Sequence, residues 1–431
     1  MSEMYNFDEQ TNRRGTGCVK WDAKPPFPLK EPGEAVIPLW VADMDFRAAP
    51  AILEAVRRRA EHGVFGYTEV GDDYYDAVIS WFQRRHQWTI HREEIIYTTG
   101  VVPAVSATIK ALTMPGEKVL ILSPDYNCFF SSIRNNGCEV AESTLINEEL
   151  RMKNEEFASA IPTTESLAEN SPEGTAAANS SLFTLHSSFK VDWQDFEQKC
   201  ADEKTTLFLL CNPHNPTGRV WSKAELMRMN DICMAHGVKV VSDEIHCELI
   251  MPGHKFQPFA AVSERCRQNS VILNSPSKSF NIAGLQIANI VCPQPSWRRR
   301  IDRAININEV CDVNPFGPAA LIAAYNESEE WLDELNLYLW DNYTALCDFA
   351  AKHIPQWHVC PLEGTYLPWV DITATGMTAR QYANLVMDKA QVWVNPGTMY
   401  GPQSGEGYIR LNIACPRSLL TEALQRIARI G

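Results

Sequence analysis

Three apolar runs in this 431-residue sequence end in polar residues of three different chemistries. Thr205 to Cys211 (TTLFLLC) runs into Asn212-Pro213-His214-Asn215-Pro216-Thr217-Gly218, and Val238 to Ser242 (VKVVS) runs into Asp243-Glu244-Ile245-His246. Val271 to Asn274 (VILN) runs into Ser275-Pro276-Ser277-Lys278. If the runs are strands of one parallel sheet, Asn215, Asp243 and Lys278 converge on its rim. Open α/β sheets bind their ligands there, beyond the carboxyl ends of the strands. An amide, an acid and an amine then surround one crevice. The stretch TTGVVPAVSATIKAL, residues 98 to 112, offers a fourth element, a glycine turn opening a helix. A helix N-terminus presents N–H groups and a positive dipole end, which suits a phosphate. Ser275 and Ser277 have hydroxyls for the same group. Taken singly, each residue has an ordinary alternative. Asp243 can be a cap, Lys278 a solvated cation, His246 a satisfied core histidine, and the Asn-Pro run a prolonged turn. Their order at successive strand ends is what favours a site.

The elements that must position these residues are short apolar runs alternating with helical patterns. Lys118 to Ser123 (KVLILS) joins the three runs above. All four show little alternation and are bounded by turn residues, as strands buried on both faces do. Lys223 to His236 reads as a helix stopped by Gly237. This alternation predicts βαβ units and a parallel sheet with helices on both faces. Long helical patterns return after about residue 300, for example over 326 to 353. The end reads as a strand followed by a closing helix. Residues 145 to 190, rich in Ser, Thr, Glu, Ala and Asn, read as a surface insertion.

Composition narrows the partners. Hydrophobic residues make up 45% and charged residues 21% of the chain, as in ordinary soluble proteins. The net charge of -14 argues against nucleic acid and anionic membranes. One basic run, Arg298-Arg299-Arg300, reads as a solvated helix face. No apolar run reaches the roughly 20 residues that span a bilayer. The first residues lack the apolar core of a signal peptide, so a cytoplasmic protein is expected. The 13 cysteines are scattered with no C-x-x-C, and H-E-x-x-H is absent. The expectation is free thiols and no metal site.

With NPHNPTG, SDEIH and SPSKSFNIAGL in this order, the chain resembles the fold-type I pyridoxal-phosphate enzymes of the aminotransferase class I/II superfamily. Within it, the sequence is most similar to the cystathionine β-lyase-like C–S lyases of the MalY/PatB type. That narrower resemblance rests on NFDEQTNRRGTGCVKWD (6 to 22), PLWVADMDF (38 to 46), FGYT (65 to 68) and YIRLNIACPR (408 to 417). It covers nearly the whole chain outside residues 145 to 190.

The resemblance implies an α/β fold: a large domain with a mostly parallel sheet flanked by helices, plus a smaller α/β domain. On this reading, residues 1–50 form an N-terminal arm and part of the small domain. Residues 51–295 form the large domain, and 296–431 the small one. The resemblance also implies pyridoxal 5'-phosphate, with Lys278 as the Schiff-base lysine. Asp243 would pair with the pyridine nitrogen and Asn215 with the phenolic oxygen. Tyr126 would stack on the ring, with His246 beside it. Gly100, Val101 and Val102 would cradle the phosphate with Ser275 and Ser277. Tyr67 would reach the phosphate of a neighbouring subunit, in a homodimer with shared sites. Arg410 would clamp the carboxylate of an amino-acid thioether, with Ala42 and Tyr67 also beside the substrate. Two positions depart from the wider superfamily: His246 stands where many members carry tyrosine, and Gln286 where many carry arginine. Both choices resemble the lyase branch. The implied reaction is α,β-elimination to pyruvate, ammonia and a thiol, with amino transfer as the alternative.

Overall fold

The computed structural model describes residues 5–29, 35–148, 187–307 and 312–430. Seven strands form its main sheet: β1 (Ile95–Thr98), β2 (Lys118–Ser123), β3 (Glu139–Thr144), β4 (Thr205–Cys211), β5 (Lys239–Asp243), β6 (Ser270–Asn274) and β7 (Ala288–Val291). Their order is β1-β7-β6-β5-β4-β2-β3. β7 runs antiparallel to both of its neighbours, and the remaining pairings are parallel. The carboxyl ends of six strands therefore lie along one edge.

The near-continuous apolar character of the central strands follows from burial on both faces. In β4, Leu207 and Leu209 join one apolar cluster, while Phe208 and Leu210 join another. β5 divides in the same way at Val240 and Val241, and β6 at Ile272 and Val271. The fifth strand extends one residue beyond the sequence expectation and ends on Asp243. That residue stands opposite Cys211 on one side and Leu273 on the other.

Helix α1 (Val101–Leu112) follows β1 and packs against α2 (Pro295–Asn306). The helices at Pro50–Glu61 and Asp72–His86 pack against the one at Phe316–Glu327. The helical pattern expected over 326 to 353 is interrupted at Ser328, between the helices Phe316–Glu327 and Glu329–His353. The Ser328 side chain bonds back to the Ala323 carbonyl at 3.1 Å. Hydroxyls that bond to the preceding turn compete with helix continuation. The predicted helix from Lys223 spans Lys223–Ala235, with Ser222 and Glu225 forming a capping box.

A second sheet, all antiparallel, contains β8 (His358–Val359), β9 (Trp369–Asp371), β10 (Asn395–Pro396) and β11 (Tyr408–Arg410) in the order β8-β9-β11-β10. Ile37–Pro38 pairs in parallel with Val392–Trp393, so the N-terminal segment is tied to the C-terminal part. The ends of the expected insertion pair as a short ribbon, Ile146–Asn147 with Phe189–Lys190. The rest of it, 149 to 186, lies outside the described residues. No helix among the described residues is long and apolar enough to cross a membrane.

Candidate active site

The sheet edge collects the expected residues. Lys278 sits in the helical turn Pro276–Ser279 directly after β6. Ser275 begins that turn. Its Oγ accepts from Ser277 N at 3.0 Å and lies 2.6 Å from the Ile287 carbonyl oxygen and 2.8 Å from Ser277 Oγ. The Ser275 hydroxyl thus shapes the turn that carries the lysine. Lys278 Nζ donates to the Ala42 carbonyl at 2.6 Å. Burial and the nearby Arg410 guanidinium lower its pKa from the usual 10.5 to about 8, against the pull of Asp43 and Asp243.

Asp243 is buried at the end of β5 and accepts from Ile245 N at 3.1 Å. Burial raises its pKa to about 7, while Lys278 acts in the opposite sense. A cation held against it would keep it ionised. Asn215 is buried in the loop after β4, and its Oδ1 accepts from Arg410 Nη1 at 3.0 Å. Arg410, at the end of β11, donates from Nη2 to the Trp40 carbonyl at 3.0 Å and lies 4.6 Å from the centre of the Tyr400 ring. Asn215, Lys278, Arg410 and Ala42 therefore come together from both sheets and the N-terminal segment.

Tyr126 follows β2 at the start of the helix Asn127–Asn135, its ring edge-on to Phe129 at 5.8 Å. Gly100 is the N-cap of α1. The Val101 and Val102 N–H groups precede the first donor inside that helix, Ala104 N to Gly100 O at 3.0 Å. Val101 is buried and Val102 exposed. His246 is buried edge-on to the Tyr366 ring at 5.9 Å; burial, Lys278 and Arg410 hold its pKa well below the usual range. Of the expected residues, Tyr67 makes little contact within its own chain: it is 99% exposed beside exposed Val64 and Phe65. Gln286, which stands where many relatives carry arginine, is exposed at a left-handed φ of 53° beside Ile287, whose carbonyl oxygen lies 2.6 Å from Ser275 Oγ.

Sequence reasoning missed the residues that hold the segment 40–46 across the site. Asn412 Nδ2 donates to the carbonyls of Val41 and Asp43, both at 2.6 Å. Asn395 Nδ2 donates to Trp40 O at 2.9 Å. Asn281 donates to Met44 O and Phe46 O at 3.0 and 2.7 Å and accepts from Met44 N at 3.0 Å. A charged cluster anchors the same segment: Lys20 to Asp45 at 2.8 Å, and Arg13 to Asp43 and Asp45 at 2.7 Å each. Asn281, Asn412, Lys20 and Arg13 all lie inside the motifs that carry the resemblance, which was the available signal.

The donor set suits a phosphorylated pyridine aldehyde. A buried amine of lowered pKa can bond an aldehyde, and a buried acid can face a ring nitrogen. Buried polar atoms also remain without partners, namely His246 Nδ1 and Arg410 Nε. Native interiors rarely leave such atoms unmatched, so they point to a polar ligand.

Fold and site together define a member of a known class. The chain belongs to the family Aminotransferase class I and II, which matches residues 34–165 and 169–427. It is 36% identical over 427 residues to cystathionine beta-lyase PatB of Bacillus subtilis, covering 98% of both chains. Its fold is similar to a PLP-bound putative aminotransferase from Clostridium difficile, with a TM-score of 0.86, 36% identity and 99% of each chain covered. It is also similar to a PLP-bound C-S lyase from Staphylococcus hominis, with a TM-score of 0.82, 30% identity and 99% and 98% covered.

Proposed function

We propose that this protein is a pyridoxal 5'-phosphate-dependent C–S β-lyase. It cleaves L-cystathionine or a related cysteine S-conjugate to pyruvate, ammonia and a thiol. The observation that carries this reading is the convergence of Lys278, Asp243, Asn215 and Arg410 at one sheet edge, in a chain similar to cystathionine and C-S lyases.

Lys278 would hold the cofactor covalently, with Asp243 for its ring nitrogen and Asn215 for its phenolic oxygen. Tyr126 would stack on the ring, with His246 beside it. The Gly100, Val101 and Val102 backbone and the Ser275 and Ser277 hydroxyls would receive the phosphate. When bound, the cofactor supplies the electron sink for the charge left at the substrate Cα. Arg410 binds the substrate carboxylate through its planar fork. The Ala42 carbonyl holds Lys278 Nζ beside it. Freed when the substrate amine takes its place, Lys278 Nζ would take the Cα proton, and its lowered pKa of about 8 suits a base working near neutrality. The C–S bond pair then leaves with sulfur, the thiolate takes up a proton, and water added to the remaining three-carbon fragment gives pyruvate and ammonia.

The exposed segment of Val64, Phe65 and Tyr67 supports a homodimer. In it, each Tyr67 serves the second subunit's phosphate and substrate. Free cysteines suit a reducing cytoplasmic setting. Amino transfer is the second reading, favoured by the likeness to the Clostridium difficile structure. Incubation with L-cystathionine and no 2-oxo acid tests the proposal. Equal amounts of pyruvate, ammonia and homocysteine support it. No reaction without an oxo acid rejects it.

A further inference from the structure

Thr365 is a buried, β-branched residue with a φ of 71°, a conformation that such residues rarely adopt. Its N–H donates to Leu249 O at 2.7 Å, and its Oγ1 accepts from Leu367 N at 3.1 Å. Strained backbone of this kind persists where its surroundings over-determine it, and it gathers at functional sites. The next residue is Tyr366. Its ring is buried against His246, and its hydroxyl donates to the Ala42 carbonyl at 2.9 Å. That carbonyl also accepts from Lys278 Nζ at 2.6 Å. One oxygen, in a segment clamped by Asn412, Asn395 and Asn281, thus serves both the lysine and the tyrosine.

We infer that Tyr366 is a positioning residue, acting through the Ala42 carbonyl to keep the Lys278 amine neutral and fixed in direction. This rests on Lys278 being the base of the proposed reaction. Two donors on one oxygen compete for the same electron density. The Tyr366 hydroxyl therefore weakens the hold that Ala42 would otherwise exert on an ammonium, which binds such an oxygen more strongly than an amine does. Burial of Nζ disfavours its charged form and acts in the same direction. The other groups facing Nζ are Arg410 from the C-terminal sheet, Asp43 from the 40–46 segment, Asp243 and His246 from the end of β5 and its loop, and Cys128 from the helix after Tyr126. Tyr366 itself is faced by Asp43 and Arg410.

The test is competitive acetylation of Lys278 across pH in the full chain stripped of cofactor, read by mass spectrometry. Tyr366→Phe should raise the Lys278 midpoint by about half a unit or more, leaving roughly threefold less neutral amine below it. Tyr382→Phe is the control, because Tyr382 bonds Trp357 Nε1 at 2.7 Å within the C-terminal core and should leave the midpoint unchanged. In the loaded enzyme, Tyr366→Phe should lower kcat near neutral pH with little change in KM, and kcat should recover as pH rises. Should Tyr366→Phe fail to fold, Tyr366→Leu is expected to shift the midpoint in the same direction. An unchanged or lowered midpoint in a folded Tyr366 variant overturns the inference. The labelling requires no turnover, so a failed lyase assay beside a raised midpoint would reject the reaction and leave Tyr366 its role.

Discussion

Arg410 Nη1 donates to Asn215 Oδ1 at 3.0 Å, joining the last strand of the C-terminal sheet to the loop after β4 of the main sheet. The proposed substrate clamp and the proposed cofactor ligand are therefore one hydrogen-bonded unit. Its Nη2 reaches Trp40 O, so the 40–46 segment belongs to the same unit. A lysine lacks the planar fork that addresses Asn215, Trp40 and a carboxylate from one rigid group. Arg410→Lys should raise KM for the amino-acid substrate by about tenfold or more, equivalent to ~1.4 kcal/mol. Steady-state kinetics on the variant would check this. An unchanged KM would remove Arg410 from the substrate site.

Asp243 stands buried at the end of a central strand. Asp243→Asn keeps the shape and removes the charge. It should lower kcat by about a thousandfold, on the order of 4 kcal/mol of electrostatic stabilisation. The protein should still take up the cofactor through Lys278. Cofactor content and kcat measured on one preparation separate the two effects.

The asparagine clamp makes a stability prediction. Asn412→Ala strips the hydrogen bonds from two carbonyls, Val41 O and Asp43 O. Losing such bonds at a buried site costs about 1–3 kcal/mol. Urea unfolding should show that loss. Because the Ala42 carbonyl lies between those two, kcat should fall as well.

Glu244 supplies a pH prediction. It is buried, with Oε1 accepting from Ser242 Oγ at 2.9 Å and from Phe259 N at 2.8 Å, while Oε2 has no partner. Burial raises its pKa to about 8, from an ordinary value of 4.5. The folded state keeps a proton that the unfolded chain releases above pH 4.5. Its contribution is therefore whole below 4.5 and declines as pH rises toward 8. Glu244→Gln cannot ionise. Its stability relative to the parent should improve by about 3–4 kcal/mol between about pH 5 and about pH 8. Denaturation midpoints at the two pH values provide the check.

Strands β2, β4, β5 and β6 were legible because they are buried on both faces and so appear as unbroken apolar runs; β1 and β3 were not, because they are only partly buried and β3 mixes polar with apolar residues. Asn215, Asp243 and Lys278 were legible because each directly follows such a run. The antiparallel β7 was not foreseen, since an apolar run carries no direction. The clamp on residues 40–46 was hidden for another reason. Asn412 and Asn395 reach partners more than 350 positions away in the chain. An asparagine's bonding partners leave no local trace. Tyr366 was hidden likewise, because its role depends on the left-handed backbone at Thr365, a β-branched residue that sequence rules assign to extended structure. Ser275 shows the converse case: its place in the motif was plain, but its part in capping the lysine turn needed coordinates.

Titrating a 2-oxo acid into the reaction with L-cystathionine, while following thiol and pyruvate together, tests the central claim most directly. The predicted result is thiol and pyruvate released in equal amounts, at a rate independent of the oxo acid. Thiol release that is absent at every oxo-acid concentration, with a new amino acid formed from the oxo acid, would contradict it.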